Sequence, residues 1–443
     1  MKYNALALVV FLFAISAHAQ TNLSLKEAVQ IALSKSDEVN LAHTKAATKN
    51  YEAQSVKMNQ YPDLKLSGQY MRLTAANMTM KNAQNNESGS TAQNEETEAP
   101  KYVALGQASV SMPIFSGFKL HNSVKASEQL YESELAYASQ TQQETAMKVV
   151  QFYADLYKAQ KSVELFRESL KSSHQRVVDF SAMEQNGLLA RNDLLKAQLQ
   201  ESSIQLSLDE AEKNVRLINY SLVTLLKMAP ETKVVVREDN IDPNLFAFGV
   251  GTEADALGQR KDLAALGHLK QASDANIKVA KAAYFPSLTL SGGYIALDLD
   301  NVVRVDNAMN VGVGLSYNLS SLFKNGKEVK AAKSRALEIQ TQQSILTDAI
   351  KTQVNAAREG YELSLKQNNV YTQAVAQADE NYRIVKDKYD NGLSDTNDLL
   401  EADVQDLEAK INQAYARANV ALKFYELLDA TGQLTQSFNL TQN

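Results

Sequence analysis

The sequence predicts a mainly α fold with a small β component. Long antiparallel helices packed lengthwise alternate with four strands, and the whole programme is internally duplicated. Two tip motifs carry the duplication: Asn186-Gly187-Leu188-Leu189-Ala190-Arg191-Asn192-Asp193-Leu194-Leu195-Lys196-Ala197 returns as Asn391-Gly392-Leu393-Ser394-Asp395-Thr396-Asn397-Asp398-Leu399-Leu400-Glu401-Ala402. In each, Asn-Gly ends an incoming helix, because glycine takes the left-handed conformation at low cost. An Asn or Asp then caps the helix that leaves. A second echo links the strand start Tyr61-Pro62-Asp63-Leu64-Lys65-Leu66-Ser67-Gly68-Gln69-Tyr70 to Phe285-Pro286-Ser287-Leu288-Thr289-Leu290-Ser291-Gly292-Gly293-Tyr294. The third observation is a heptad seam, Val149, Phe152, Leu156, Ala159, Val163, Phe166 and Leu170, the mark of helices lying side by side.

Composition narrows the function. The 443 residues carry 45 Lys and Arg against 51 Asp and Glu, a net charge of −6, with no basic cluster. That balance speaks against a nucleic-acid partner. Cysteine is absent, which excludes disulfides, thiolate metal sites, thiol catalysis and a cysteine-linked lipid anchor. The five histidines, His18, His43, His121, His174 and His268, have no ligand spacing. No phosphate-binding loop or nucleophile elbow occurs. The expectation is a protein that is not an enzyme, with no catalytic residue, metal or cofactor. Residues 1–19 read as a secretory signal. Lys2 precedes an apolar run from Ala5 to Ile15, and Ala17-His18-Ala19 is a cleavage site that would leave Gln20 first. No later stretch is apolar for long enough to cross a bilayer as a helix.

Taken in order, repeat 1 spans 20–230, a linker 231–251, repeat 2 252–430 and a C-terminal tail 431–443. Ser24-Leu25-Lys26-Glu27 is a capping box. It opens a helix of about 35 residues reaching near Gln60, where Tyr61-Pro62 stops it. The first strand puts Leu64, Leu66, Gly68 and Tyr70 on one face and Lys65, Ser67 and Gln69 on the other. Residues 71–102 form a long polar loop. The second strand sets Ala104, Ala108, Val110, Met112 and Ile114 against Gln107, Ser109 and Ser111. An unbroken helical pattern then runs from Ser116 to Gln185, about 70 residues and roughly 105 Å. After the first tip a return helix reaches Met228. The linker holds a short β-like run at Val234, Val235 and Val236. Repeat 2 begins with one helix to Tyr284 and a strand to Tyr294. A loop at 295–308 follows, then a strand with Val311, Val313, Leu315, Tyr317 and Leu319 on one face. A long helix leads to the second tip, and the last helix ends near Leu428. All six prolines fall at strand ends, in loops or in the linker, outside the long helices.

The strands impose the stronger constraint. Four of them cannot close a barrel, and their apolar faces have no helical pattern to cover them. Strands of about 10 residues with apolar-out, polar-in alternation match a membrane barrel. Open sheet edges are not tolerated in lipid, so several chains must each contribute four strands. Two chains would make a narrow, filled barrel and three a conducting one. Tyr61, Phe115, Phe285 and Tyr317 read as one aromatic girdle, and Tyr70, Tyr102 and Tyr294 as the other. A soluble β-domain between coiled coils is the other reading of the same pattern.

The combination resembles the TolC-type outer membrane efflux protein family over essentially the whole mature chain. The residues that carry it are the opening Leu25-Lys26-Glu27-Ala28-Val29-Gln30-Ile31-Ala32-Leu33, the two aromatic-Pro-x-Leu strand starts and the two Gly-Leu…Asp-Leu-Leu tips. The resemblance implies a homotrimer: a 12-stranded outer-membrane barrel, held in outer-membrane lipid, continued by a coiled-coil helical tunnel across the periplasm of a Gram-negative bacterium. It implies the exit duct of a tripartite efflux or type I secretion system, a passive conduit opened by an iris-like movement of the helix tips. The partners implied are a periplasmic adaptor protein and an inner-membrane pump of RND or ABC type. Gly187, Leu188, Gly392 and Leu393 match adaptor-contacting tips, and serve equally as plain helix ends. Tyr389 matches the family's link tyrosine and Asp193 its acidic partner. Asp398 and Glu401 match two carboxylate rings, and suit equally a solvated first helical turn. The sequence departs at Ser394, where the best-known member has an arginine, so the salt link of that lock has no counterpart here. The alternative class is a soluble periplasmic coiled-coil scaffold or adaptor without a pore.

Overall fold

The computed structural model describes residues 20–74, 99–238 and 251–438. The signal-like segment, most of the loop 71–102 and most of the linker lie outside those residues. The elements run β1 (Gln20–Leu23), α1 (Leu25–Lys35), α2 (Asp37–Met58), β2 (Asp63–Arg72), β3 (Tyr102–Phe115), α3 (Lys119–Gln185), α4 (Arg191–Leu225) and β4 (Lys233–Val236). They continue as α5 (Glu253–Gln259), α6 (Lys261–Ala282), β5 (Ser287–Leu299), β6 (Val303–Ser316), α7 (Ser321–Asp390), α8 (Thr396–Ala430) and α9 (Leu434–Ser437). Among the described residues no helix is long and apolar enough to cross a membrane. The chain divides into two units, one of residues up to 46, 134–265 and 343 onward, the other of 47–133 and 266–342.

The first unit holds the main core. Tyr153 and Leu156 of α3, Leu222 and Leu226 at the end of α4, Val29 of α1, Leu427 of α8 and Leu434 of α9 are fully buried in one cluster. Of the predicted seam, Val149, Leu156 and Ala159 are buried, and Phe152 packs against them. β1 pairs in parallel with β4, Thr21 opposite Val234. The Tyr153 hydroxyl donates to the Leu23 carbonyl at 2.9 Å and fixes that pair to α3. The pairing was not expected, because a four-residue strand has no alternation to read.

Each predicted opening helix is two helices. The Ser24–Glu27 capping box forms as expected, but the helix ends at Lys35. Ser36, extended at φ −62, ψ 134, is the break. Its hydroxyl accepts from the Glu38 amide at 3.2 Å and so starts α2, the competition with helical hydrogen bonding that serine offers. Repeat 2 does the same. Thr252 and Asp255 form a second capping box, and Arg260 breaks the helix at φ −62, ψ 123. The Arg260 guanidinium is held by Asp262 at 2.6 Å and by Gln353 at 2.9 Å.

The second unit contains the sheet, in the order β2-β3-β5-β6, antiparallel throughout. Directly opposed residues share a face. One face carries Leu64, Val110 and Val311, then Leu66, Ala108, Tyr294 and Met309. The other carries Lys65, Ser109, Gly293 and Asn310, with Ser111 and Ser291 beside them. The apolar face is bare: Leu66 is 87% exposed and Val311 83%. Among the described residues β2 and β6 are edge strands, each with one bonded neighbour.

Two expectations are corrected here. Residues 295–308 are not a loop: β5 continues to Leu299 and β6 starts at Val303 after a tight turn with Asn301 at φ +57. Alternation is lost there because Leu297 and Val305 put apolar side chains on the polar face. A bulge, with Asp306 and Asn307 opposite Ala296, shifts the register. Tyr294 is not at the far end with Tyr70 and Tyr102, whose rings stack at 5.7 Å. Its register level is that of Leu66, mid-strand, and its hydroxyl donates to Asn307 Oδ1 at 2.9 Å.

Near the end of α8, Asp429 is a carboxyl in the wrong solvent. Burial pushes its pKa up to about 6, against a pull down from Arg260, with Glu144, Asp262 and Glu426 adding to the rise. A folded value above the unfolded 3.8 means the folded state binds the extra proton, so stability falls as pH rises through that interval. Asp429→Asn is therefore expected to stabilise the protein by about 1–3 kcal/mol at neutral pH. Thermal unfolding of both proteins across pH checks this: the difference should vanish below the ordinary carboxylate range.

Candidate functional site: the tips of the helix hairpins

The two tips share one backbone solution. At the first, Gly187 at φ +73 donates to the Glu184 carbonyl at 2.9 Å, and Leu188 donates to Met183 at 2.8 Å. At the second, Gly392 at φ +72 donates to Tyr389 at 2.9 Å, and Leu393 donates to Lys388 at 2.8 Å. This pair of bonds satisfies the last carbonyls of a helix and requires the left-handed residue that glycine supplies. The asparagine before each glycine adds a bond to the turn below, Asn186 to the Ala182 carbonyl at 2.6 Å and Asn391 to Asp387 at 2.7 Å. What the motif leaves outside is apolar: Leu188 is 73% exposed and Leu393 77%.

The helices that leave the tips start differently. Asp395 caps α8, its carboxylate accepting from the Asp398 amide at 3.0 Å. The expected side-chain cap at the first tip is absent: α4 starts after Ala190, which has no polar side chain to offer. Asp193, in the first turn of α4, forms an ion pair with Lys196 at 3.2 Å.

Behind the tips the two hairpins share an apolar cluster. Phe180, Leu194, Ala197 and Leu399 are buried, with Val177, Met183, Leu189, Tyr382, Val385 and Tyr389 packed on them. The Tyr389 ring lies 5.9 Å from Phe180. Tyr389 packs on the cluster that includes Leu194, the residue after Asp193, and no hydrogen bond joins the Tyr389 and Asp193 side chains among the described residues. Asp398 and Glu401 are exposed while the residue after each, Leu399 and Ala402, is buried, so both acids face away from the cluster. Asp398 accepts from the Ser394 hydroxyl at 2.8 Å and Glu401 from Gln405 at 3.0 Å. Among the described residues neither forms an ion pair.

One polar group escaped the sequence reading. Arg176 of α3 donates to Asp403 of α8 at 2.8 Å and to the Tyr382 hydroxyl of α7 at 3.3 Å. Gln200 of α4 donates to the same Asp403 oxygen at 3.0 Å. The ion-paired side chains are 8% and 12% exposed. Burial acts against the Arg176 charge, and the bonds to Asp403 and Tyr382 more than offset it, so the guanidinium sits above its ordinary pKa. The signal was present: Arg176 stands one turn before Phe180 and Asp403 one turn after Leu399, which puts a charge on the apolar stripe of each helix.

The profile of the family described as "Outer membrane efflux protein" matches residues 28–226 and 254–433, both hairpins and the sheet included. The chain belongs to the outer membrane efflux protein family. Among relatives, outer membrane efflux protein BepC of Brucella suis is 21% identical over 345 residues, 76% of this chain and 75% of BepC. Outer membrane protein TolC of Vibrio cholerae is 25% identical over 333 residues, 70% of this chain and 72% of TolC. Among solved structures, CusC superimposes with a TM-score of 0.79 at 17% identity, covering 95% of this chain and 96% of CusC. The fold is that of the efflux family's channels.

The tip geometry gives a direct test. Nothing lies within 4 Å of a methyl group added at Gly187 or Gly392, so alanine meets backbone strain alone. Gly392→Ala is expected to weaken the tip by about 1–2 kcal/mol, read as loss of hydrogen-exchange protection at the Leu393 amide. Gly392→Asn should lose less.

Proposed function

We propose that three copies of this chain form an outer-membrane channel, the exit duct of a tripartite efflux or type I secretion system. The observation that carries this reading is the sheet: four strands with a bare apolar face and two free edges, in a member of the outer membrane efflux protein family. Pairing β6 of one copy with β2 of the next closes 12 strands and leaves no edge in lipid. Two further stripes support a trimer. Leu199, Leu206 and Tyr220 of α4 are exposed at heptad positions, as are Leu363, Val370 and Ile384 of α7, and such seams need partner helices.

In this reading the chain is a duplicated unit, 20–230 and 252–430, joined by the linker 231–251 and closed by the tail 431–443. The helices form the periplasmic tunnel. Leu188 and Leu393, beside Gly187 and Gly392, offer the apolar tips to a periplasmic adaptor, which joins the duct to an inner-membrane pump of RND or ABC type. Asp398 and Glu401 give two acidic rings in the trimer, and Tyr389 with Asp193 belongs to the gate that an iris-like movement opens. The chain performs no chemistry: the pump supplies energy and the duct supplies a wet path.

Two measurements test this. The protein should fractionate with the outer membrane, need detergent for extraction and have the mass of a trimer, whereas a periplasmic scaffold would be extracted without detergent. In planar bilayers, Asp398→Ala with Glu401→Ala should reduce cation selectivity and change single-channel conductance. Unchanged values would remove the acidic rings from the reading.

A further inference from the structure

We propose that Arg176 and Asp403 are the latch that holds the two tip hairpins together in the closed duct. This deepens the reading above and rests on it. The latch is drawn from one residue on each of four helices, Arg176 and Gln200 on the first hairpin, Tyr382 and Asp403 on the second. All three of its bonds cross between hairpins. The neighbouring polar pairs do not. His174 with Glu201 and Lys196 with Asp193 lie within the first hairpin. Lys410 with Asp379 and Asp406, and Ser394 with Asp398, lie within the second. Each hairpin is stiffened on its own account, and two of the three links between them converge on one oxygen, Asp403 Oδ2.

Burial makes this contact two-state. An exposed ion pair exchanges gradually with water and is worth little. A guanidinium 8% exposed has no water to exchange with: it stays on Asp403 or the hairpins part far enough to hydrate it. The closed arrangement also carries a cost. Gln200 Oε1 is buried without a hydrogen-bond partner, a deficit that separation would relieve. The latch and the Phe180–Leu399 cluster are one helical turn apart on α3 and on α8, and Tyr382 belongs to both. Moving one hairpin away from the other therefore breaks both together. Ser394 makes no link between the hairpins, since its hydroxyl is used within the second hairpin. Arg176 supplies the cation from inside the bundle instead.

The test uses the detergent-solubilised assembled protein. With no native cysteine, Leu188→Cys and Leu393→Cys carry the only spin labels, and the same protein is read in planar bilayers. Asp403→Asn is expected to lengthen the tip-to-tip distance by ~5 Å or split its distribution. It should also raise the open probability about tenfold or more. The charge swap Arg176→Asp with Asp403→Arg should bring both back toward the parent. If Asp403→Asn lowers the melting temperature but leaves distance and open probability unchanged in a parent that conducts, the latch is wrong and the duct stands. If the swap opens the tips as far as Asp403→Asn does, the pair is not the link. A parent that forms no channel removes the duct reading and the latch with it. Should Asp403→Asn not assemble, Tyr382→Phe deletes one crossing bond without stranding a charge. A smaller shift of the same sign is expected, and no shift overturns the proposal.

Discussion

Backbone hydrogen bonding at the two rims of a four-stranded sheet constrains everything else in this molecule. β2 and β6 each turn one row of N–H and C=O groups away from any partner strand among the described residues, and the face between them is apolar. Water could satisfy the rims but not the face; lipid could satisfy the face but not the rims. The two demands are met together only when each rim pairs with the opposite rim of another copy and the apolar face turns to lipid. The proposed assembly therefore follows from hydrogen-bond accounting and the family's fold without reference to cargo.

The hairpin tips obey a different economy. They are built to the same pattern at Gly187 and Gly392, yet their surroundings divide by polarity. Leucines are left outside at the extreme end, an apolar cluster follows, and a dry ion pair lies one turn further in. Each ion pair inside a hairpin near the tips has at least one partner open to water, where such a pair contributes little. Those between hairpins are buried and few. Such a layout lets two stiff rods separate along a defined plane while neither unravels.

Most of the architecture was readable because its signals are local. The Ser24–Glu27 box, the Asn-Gly tips, the proline-marked strand starts and the heptad seam each depend on residues within a few turns. The helix breaks at Ser36 and Arg260 were not readable: each keeps helical periodicity on both sides, and the break is fixed by a serine hydroxyl in one case and a guanidinium anchored across the fold in the other. Tyr294 was misplaced because alternation gives the face of a residue and not its height, which register alone sets. At the site, Asp398 and Glu401 could be assigned to an exposed face from their spacing. The partnership of Arg176 with Asp403 could not, since it joins positions far apart in sequence and needs four helices to exist.

The parallel pairing of β1 with β4 has a consequence in time. Residues 20–23 find their partner only at 233–236, so the start of the fold waits until about half the chain has been made. The α3/α4 hairpin shortens that wait by bringing the two ends near each other, which reduces the entropy of closing so long a loop. β4 is kept ready meanwhile. The side chain of Gln160 bonds the Val234 carbonyl at 2.7 Å and the Val236 amide at 3.2 Å, and Asn219 bonds the Val234 amide at 2.9 Å. β1 thus meets a template already clamped by the hairpin that it closes.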